Sequence, residues 1–279
     1  LARILSPRAA EILGTPIAVE NRPSASAILG VEAVARAQPD GTTLLIVDTT
    51  LPVMPTLHAQ LPFDIFRDLV PMGVVAAAPT TLVVRRNLPA QTLQEFVALA
   101  RSQPGRITYA TGSIGGTAHL AALLLQETAG INLNFIPYAG AGQAANDLVA
   151  GHLDANFSAL NAVLGLIEAG TIRALATSGA ERQRLAPSIP TFRESGMPDV
   201  VVSAHWSFYA PAGTPAPLVQ TLGEAFRRAA NEEGPRAELE RRGYHVLNAD
   251  QAEHARILRE EFEKWGGVMR RAGVQPPVR

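Results

Sequence analysis

The chain has 279 residues, 47% hydrophobic and 18% charged, a formal net charge of −1 and no cysteine. That balance is globular rather than disordered. The length admits one large domain or two medium ones, and the lack of cysteine excludes disulfides, thiol catalysis and Cys-ligated metals. No basic stripe interleaves with aromatics, which argues against nucleic acid, and no apolar run nears the roughly 18 residues a membrane span needs.

The chain opens inside a helical pattern, with Leu1, Ile4, Leu5, Ile12 and Leu13 on one apolar face and Pro7 interrupting it. A domain rarely starts there, so residues are expected to be missing upstream, any signal peptide among them. Residues 17–21 read as a short strand, 21–26 as a loop, 29–37 as a helix, and Gln38-Pro-Asp-Gly41 as a turn. The continuous apolar run 43–47 is the pattern of a strand covered on both faces, and it ends at Asp48, Thr49 and Thr50. A proline-punctuated loop is expected to Pro71, then strands near 73–77 and 80–85. An amphipathic helix over 92–102 carries Leu93, Phe96, Val97 and Ala100 on one face.

The stretch 109–120 is the one around which the rest is organised. A strand over 106–110 leads into a turn of Thr111, Gly112, Ser113, Gly115 and Gly116, followed by a helix over 118–129. A strand that ends in a Gly/Ser/Thr loop at a helix N-terminus presents free N–H groups and the positive end of a helix dipole, a site for a carboxylate or phosphate. Its glycines permit close backbone approach, and the hydroxyls of Thr111, Ser113 and Thr117 add donors. The plain alternative is a strand-to-helix turn with Thr117 as N-cap.

Strands follow at 133–138, 153–158 and 172–177, with helices at 142–150 and 162–169 between them. This β–α alternation predicts a parallel sheet with helices on both faces. A Pro-rich loop spans 182–199, a strand 207–210, and Thr214 is the expected N-cap of a helix over 217–231. Helices over 235–242 and 250–272 close the chain, with a short strand at 244–247 between them. With neither a repeat nor a flexible linker in view, two α/β lobes are expected to share the chain by crossing near 82–85 and 207–209.

Catalytic constellations are sparse. Ser113 sits in a strand–turn–helix, but Thr111 stands where a nucleophile elbow needs glycine, and His119 falls inside the helix. Gly140-Ala-Gly142-Gln-Ala-Ala145 fits a dinucleotide fingerprint after a strand, yet no acid stands about 20 positions on, and Asp154 comes too early. The six histidines are scattered without ligand spacing, so no metal is expected. Gly/Ser/Thr/Ala loops at strand ends with few reactive groups suit binding without reaction. An α/β enzyme holding a nucleotide cofactor at the Gly140 loop is the alternative.

Taken together, the loops resemble those of a known family. Asn21-Arg-Pro, Ala35-Arg-Ala-Gln-Pro-Asp-Gly41, Leu61-Pro-Phe-Asp64, Pro104-Gly-Arg-Ile-Thr-Tyr-Ala110 and Gly115 with His119-Leu120 carry the likeness. So do Ile136-Pro-Tyr-Ala-Gly140, Gly151-His-Leu-Asp154, Gly170-Thr-Ile-Arg-Ala-Leu-Ala176, Ile189-Pro-Thr-Phe-Arg-Glu-Ser-Gly196, Tyr209-Ala-Pro-Ala-Gly-Thr-Pro215, Trp265 and Ala272-Gly-Val274. In this order they resemble the tripartite tricarboxylate transporter substrate-binding receptors, the Bug family, over nearly the whole chain.

The resemblance implies an α/β protein of the two-lobed periplasmic-binding-protein type II fold, with two parallel-core sheets joined by two crossover strands. Lobe I would comprise 1–82 and 207–279, lacking its N-terminal strand, and lobe II 83–206. It implies a monomeric periplasmic protein, not an enzyme and without cofactor. Such a protein captures a small carboxylate in the interlobe cleft and passes it to membrane transporter or sensor subunits, without itself inserting in the membrane. The ligand residues implied are Ser26, Ala27, Thr49, Thr50, Ser113, Gly115, Gly116, Thr117, Tyr138 and Ser158, with carboxylates held by backbone amides, hydroxyls and waters rather than by arginine. Three departures stand out. The family's opening strand and Gly-Gly loop would precede Leu1. The glycines usual after Asn-Arg-Pro are replaced by Ser24, Ala25, Ser26, Ala27 and Ile28, and Ser158 stands where an aspartate is frequent.

Overall fold

The computed structural model describes residues 1–22, 27–138 and 140–274. The chain begins with α1 (Ala2–Leu13), α2 (Ile28–Ala35), β1 (Leu45–Val47), α3 (Thr50–Leu57), β2 (Leu69–Arg85) and α4 (Leu93–Ser102). Next come β3 (Thr108–Thr111), α5 (Thr117–Ala129), β4 (Asn134–Pro137), α6 (Ala141–Ala150), β5 (Ala155–Ala159), α7 (Leu160–Glu168) and β6 (Ile172–Thr177). The last part holds β7 (Ser203–Pro211), α8 (Ala216–Asn231), α9 (Glu233–Arg241), β8 (His245–Ala249) and α10 (Gln251–Arg271). Two compact units result: Leu1–Ala77 with Ala204–Arg270, and Ala78–Ser203 with Arg271–Gly273. Both boundaries fall inside strands, β2 and β7.

In the first unit β1 and β7 pair antiparallel, Leu45 opposite Tyr209 and Val47 opposite Ser207, and β8 pairs antiparallel with the first half of β2. Successive residues of a strand face opposite sides. Accordingly Phe208 joins a core with Leu5, Ala9, Leu222 and Phe226 of α1 and α8, while Tyr209 joins one with Val31, Leu51, Met54 and Leu258 of α2, α3 and α10. Helix α1 runs straight through Pro7. The hydrogen bond that proline removes and the clash its ring introduces cost about 3 kcal/mol. Full burial of Leu5 and Ala9 on either side offsets this.

In the second unit β3 pairs parallel with both β4 and β5, while β2 pairs antiparallel with β5 and with β6. Strands β3, β4, β5 and β6 therefore point one way, joined by the helical crossovers the alternation predicts, and β2 runs against them. Tyr109, Phe135 and Phe157 pack ring to ring on the α5 side. Val83 and Ala110 face Ala144, Leu148 and Val163 of α6 and α7.

Several sequence expectations are corrected. Residues 17–21 form no strand; Ile17 packs against the α1/α8 core without a ladder. The loop expected after Thr50 contains α3, whose Leu51, Val53 and Met54 are fully buried. Pro52 lies in its first turn, where a missing N–H is no loss. The two strands expected around Pro71 and Pro79 are one 17-residue strand, β2. Its prolines fall before the β8 ladder, which starts at Val74, and between the end of that ladder at Ala77 and the β5 ladder from Thr80. Thr214 does not cap α8; Pro215 occupies that position, and the Thr214 hydroxyl donates to the Pro211 carbonyl at 2.8 Å.

Candidate functional site

Helices α5, α6 and α7 each follow one of the three adjacent parallel strands β3, β4 and β5. Their amino ends therefore gather along one edge of the sheet, the carboxyl edge where open α/β sheets bind ligands. None of the three carries a side-chain cap or an acid in its first turn. Helix α4 of the same unit is different: Thr92 accepts the Glu95 N–H at 3.2 Å, and the Glu95 carboxylate accepts the Gln91 N–H at 2.6 Å. The first-turn N–H groups of α5, α6 and α7 thus lack the partners that α4 provides for its own. Each such terminus favours an anion by about 0.3–1 kcal/mol when exposed and up to about 2 kcal/mol when partly buried.

The segment that forms this edge carries no lysine or arginine, since none occurs between Arg106 and Arg173. Arg85 pairs with Asp154 at 2.9 Å, and Asp154 also accepts the N–H and hydroxyl of Thr108, at 2.9 and 3.0 Å, all at the amino end of β5. Asp154 is therefore at the wrong edge to serve a nucleotide ribose beside the Gly140 loop.

The turn after β3 is held by its own bonds. The Thr111 hydroxyl donates to the Ser113 carbonyl at 2.8 Å, and the Gly115 N–H donates to His119 Nδ1 at 3.0 Å. His119 is 3% exposed and stacks on Phe135 at 4.6 Å; burial pushes its pKa down to about 4, so the ring is neutral and accepts. This geometry also removes it as a general base for Ser113. Gly115 has φ +73°, which an L side chain rarely adopts. A Cβ on Gly112 would meet the N and Cβ of Ala141 at 3.1 and 3.3 Å, so the turn lies directly against the start of α6.

The structure places the expected ligand residues unevenly. In the second unit, Ser113 is exposed in the turn, Gly116 is the N-cap of α5, and Thr117 is its first helical residue rather than its cap. Thr117 Oγ1 and Ser158 Oγ are buried without a hydrogen-bond partner. The Gly115 N–H is already used by His119, and the Tyr138 hydroxyl donates to Asp147 at 2.5 Å, an interaction that raises the tyrosine's pKa. Asn156 was not anticipated. It is 1% exposed, and both its amide atoms lack partners. The strand expected over 153–158 sets Asn156 on the same face as Ser158, which was the sequence signal for it.

In the first unit Thr49 is 1% exposed and its hydroxyl accepts the His205 N–H at 2.9 Å and donates to Glu261 at 3.3 Å. The Thr50 N–H donates to the Asp48 carboxylate at 3.0 Å, so α3 has an acid of the chain itself at its amino end. Ala27 is the N-cap of α2 with φ +60°, and Ser26 lies outside the described residues. His254 accepts the Gly73 N–H at 3.0 Å and is held neutral by burial, then by nearby His205, with its pKa down to about 3.

Comparison with known proteins matches residues 1–274 to the model of the tripartite tricarboxylate transporter family receptor. Protein BugT of Bordetella pertussis is 31% identical over 277 residues, covering 99% of this chain and 85% of that protein. Among solved structures, Rpa4515 of R. palustris with adipate superposes with a TM-score of 0.87 at 26% identity, covering 99% of this chain and 93% of the other. MatC of Rhodopseudomonas palustris with bound malate gives 0.81 at 29% identity, covering 96% and 92%.

Proposed function

Because the chain belongs to the receptor family of the tripartite tricarboxylate transporters, a family of solute-binding receptors and not of enzymes, we propose that it captures a small organic acid in the periplasm for a transporter of that type. The observation that carries this is the carboxyl edge of the second unit. There three helix amino ends, uncapped by any side chain, converge in a stretch without lysine or arginine. Backbone N–H groups and dipoles supply diffuse positive potential for a carboxylate and need no formal charge. The adipate and malate held by the two solved relatives support a carboxylate as the ligand class. Ser113, Gly116 and Thr117 are the residues proposed to meet it, and Ser158 flanks them. The Gly115 N–H, already bound to His119, shapes the turn instead.

The functional partners proposed are membrane subunits of the transporter, with the receptor itself a monomer. Thermal melts against a panel of mono-, di- and tricarboxylates test the reading. A ligand at 100 times its Kd adds about 2.7 kcal/mol of stability. A panel in which NAD or ATP shifts the melt and no carboxylate does would replace this reading with the nucleotide-binding one.

A further inference from the structure

Within the second unit, every buried side-chain atom found without a hydrogen-bond partner among the described residues belongs to Thr117, Asn156 or Ser158. Two of these residues are neighbours on one face of β5, since positions two apart in a strand point the same way. Asn156 lies in register with Val83 of β2 and Ala110 of β3, and Ser158 with Thr81 of β2, which in turn faces Thr177 of β6. The hydroxyls of Thr81 and Thr177 are satisfied: the Gln183 amide donates to them at 3.1 and 2.8 Å, and Thr177 donates to the Thr80 carbonyl at 3.1 Å. The polar row is thus complete on its β6 side and open on β5.

Buried polar groups in folded proteins are almost always paired. An amide with both its donor and its acceptor idle beside an idle hydroxyl therefore marks a place where something else supplies the partners. The chemistry of that partner follows from the surroundings. Asn156 offers N–H donors and one carbonyl acceptor, so its complement carries an acceptor and a donor side by side. The flanking side chains Val83 and Ala110, and Ala144, Leu148 and Val163 above them, are apolar. A charged carboxylate seated among them would lose its hydration to groups that cannot replace it. It would also set an oxygen against the Asn156 carbonyl.

We infer that Asn156 and Ser158 form a subsite for an uncharged, donor-and-acceptor group of the ligand, a primary carboxamide, on the same molecule whose carboxylate is held at the helix amino ends. This rests on the receptor reading above and narrows its ligand class from organic acids to acids carrying an amide. Asn156 sets the specificity, and Ser158 adds the third hydrogen bond.

The test is calorimetric titration of the full chain with succinate, glutarate and adipate, their monoamides, and butanoate, pentanoate and hexanoate. The expected result is one monoamide that binds at least tenfold more tightly than both its dicarboxylate and its monocarboxylate. Asn156→Leu, close in volume and apolar, abolishes that preference while leaving the monocarboxylate within twofold, and its ligand-free melting temperature is equal to or above that of the parent. Ser158→Ala loses roughly threefold for the monoamide, and carries the test if the leucine variant does not fold. Carboxylate binding without a monoamide preference, or a preference untouched by both substitutions, overturns the inference and leaves the receptor reading standing. No binding by any of the nine compounds also overturns the inference, and the wider panel of carboxylates and nucleotides above then decides the receptor reading.

Discussion

Nδ1 of His119 accepts the N–H of Gly115 at 3.0 Å, so a helix side chain holds the turn that precedes its own helix. The ring is fixed from behind by Phe135, itself against Tyr109, which meets Phe157 edge-on. His119→Leu leaves the Gly115 N–H buried and unpaired, at a cost of about 1–3 kcal/mol, and frees the turn. His119→Asn keeps an acceptor near Nδ1. Carboxylate affinity is expected to fall at least tenfold in the leucine variant and to recover most of the way in the asparagine variant. Equal affinities in the two variants would show that ring volume, not the hydrogen bond, matters.

The same imidazole makes stability depend on pH. His119 and His254 are both held neutral, with pKa values lowered to about 4 and about 3 from 6.5. Between pH 6.5 and these values the unfolded chain binds more protons than the folded one, so stability is full above pH 6.5 and declines as the pH falls toward 4. A melting temperature that drops between pH 7 and pH 4, with a shallower drop in His119→Asn, is the expected profile. Parallel curves for parent and variant would assign the acid sensitivity elsewhere.

Gly112 lets the turn lie against the first residue of α6, with Ala141 N at 3.1 Å from where a Cβ would stand. Gly112→Ala pushes against backbone rather than a flexible side chain, so α6 must shift by a few tenths of an ångström. Overpacking of this kind costs about 1–3 kcal/mol. The proposed carboxylate site should weaken several-fold, read by titration with the best ligand of the panel. Unaltered affinity would take the α6 amino end out of the site.

Asp154 gives the opposite expectation. It joins Arg85 and Thr108 at the amino edge and is only partly exposed. Asp154→Ala leaves Arg85 and the Thr108 N–H short of a partner, and we expect a loss of about 2–3 kcal/mol in chemical denaturation with ligand affinity of the folded protein unchanged. A large affinity loss at full stability would contradict the assignment of the carboxyl edge as the binding edge.

Patterned residues made much of this legible. Leu93, Phe96, Val97 and Ala100 marked α4 by their spacing, and strand β6 spans the expected residues 172–177. The binding turn was visible because glycines and hydroxyls follow an apolar run. Proline misled wherever burial or position made it harmless, as in α3 and β2. Which hydroxyls are free could not be read from the chain: Thr49 and Tyr138 are consumed by Glu261 and Asp147, partners 212 and 9 residues away. Asn156 was hidden for a related reason, since an unpaired amide is defined by the neighbours that fail to reach it.

The second unit is nearly one uninterrupted stretch, Ala78–Ser203, whereas the first needs both Leu1–Ala77 and Ala204–Arg270. The chain emerges amino end first, and contiguous domains fold as units. The binding edge can therefore form before residues 204–270 have arrived, whereas the apolar surfaces of α1 and β1 stay uncovered until α8 and β7 follow them.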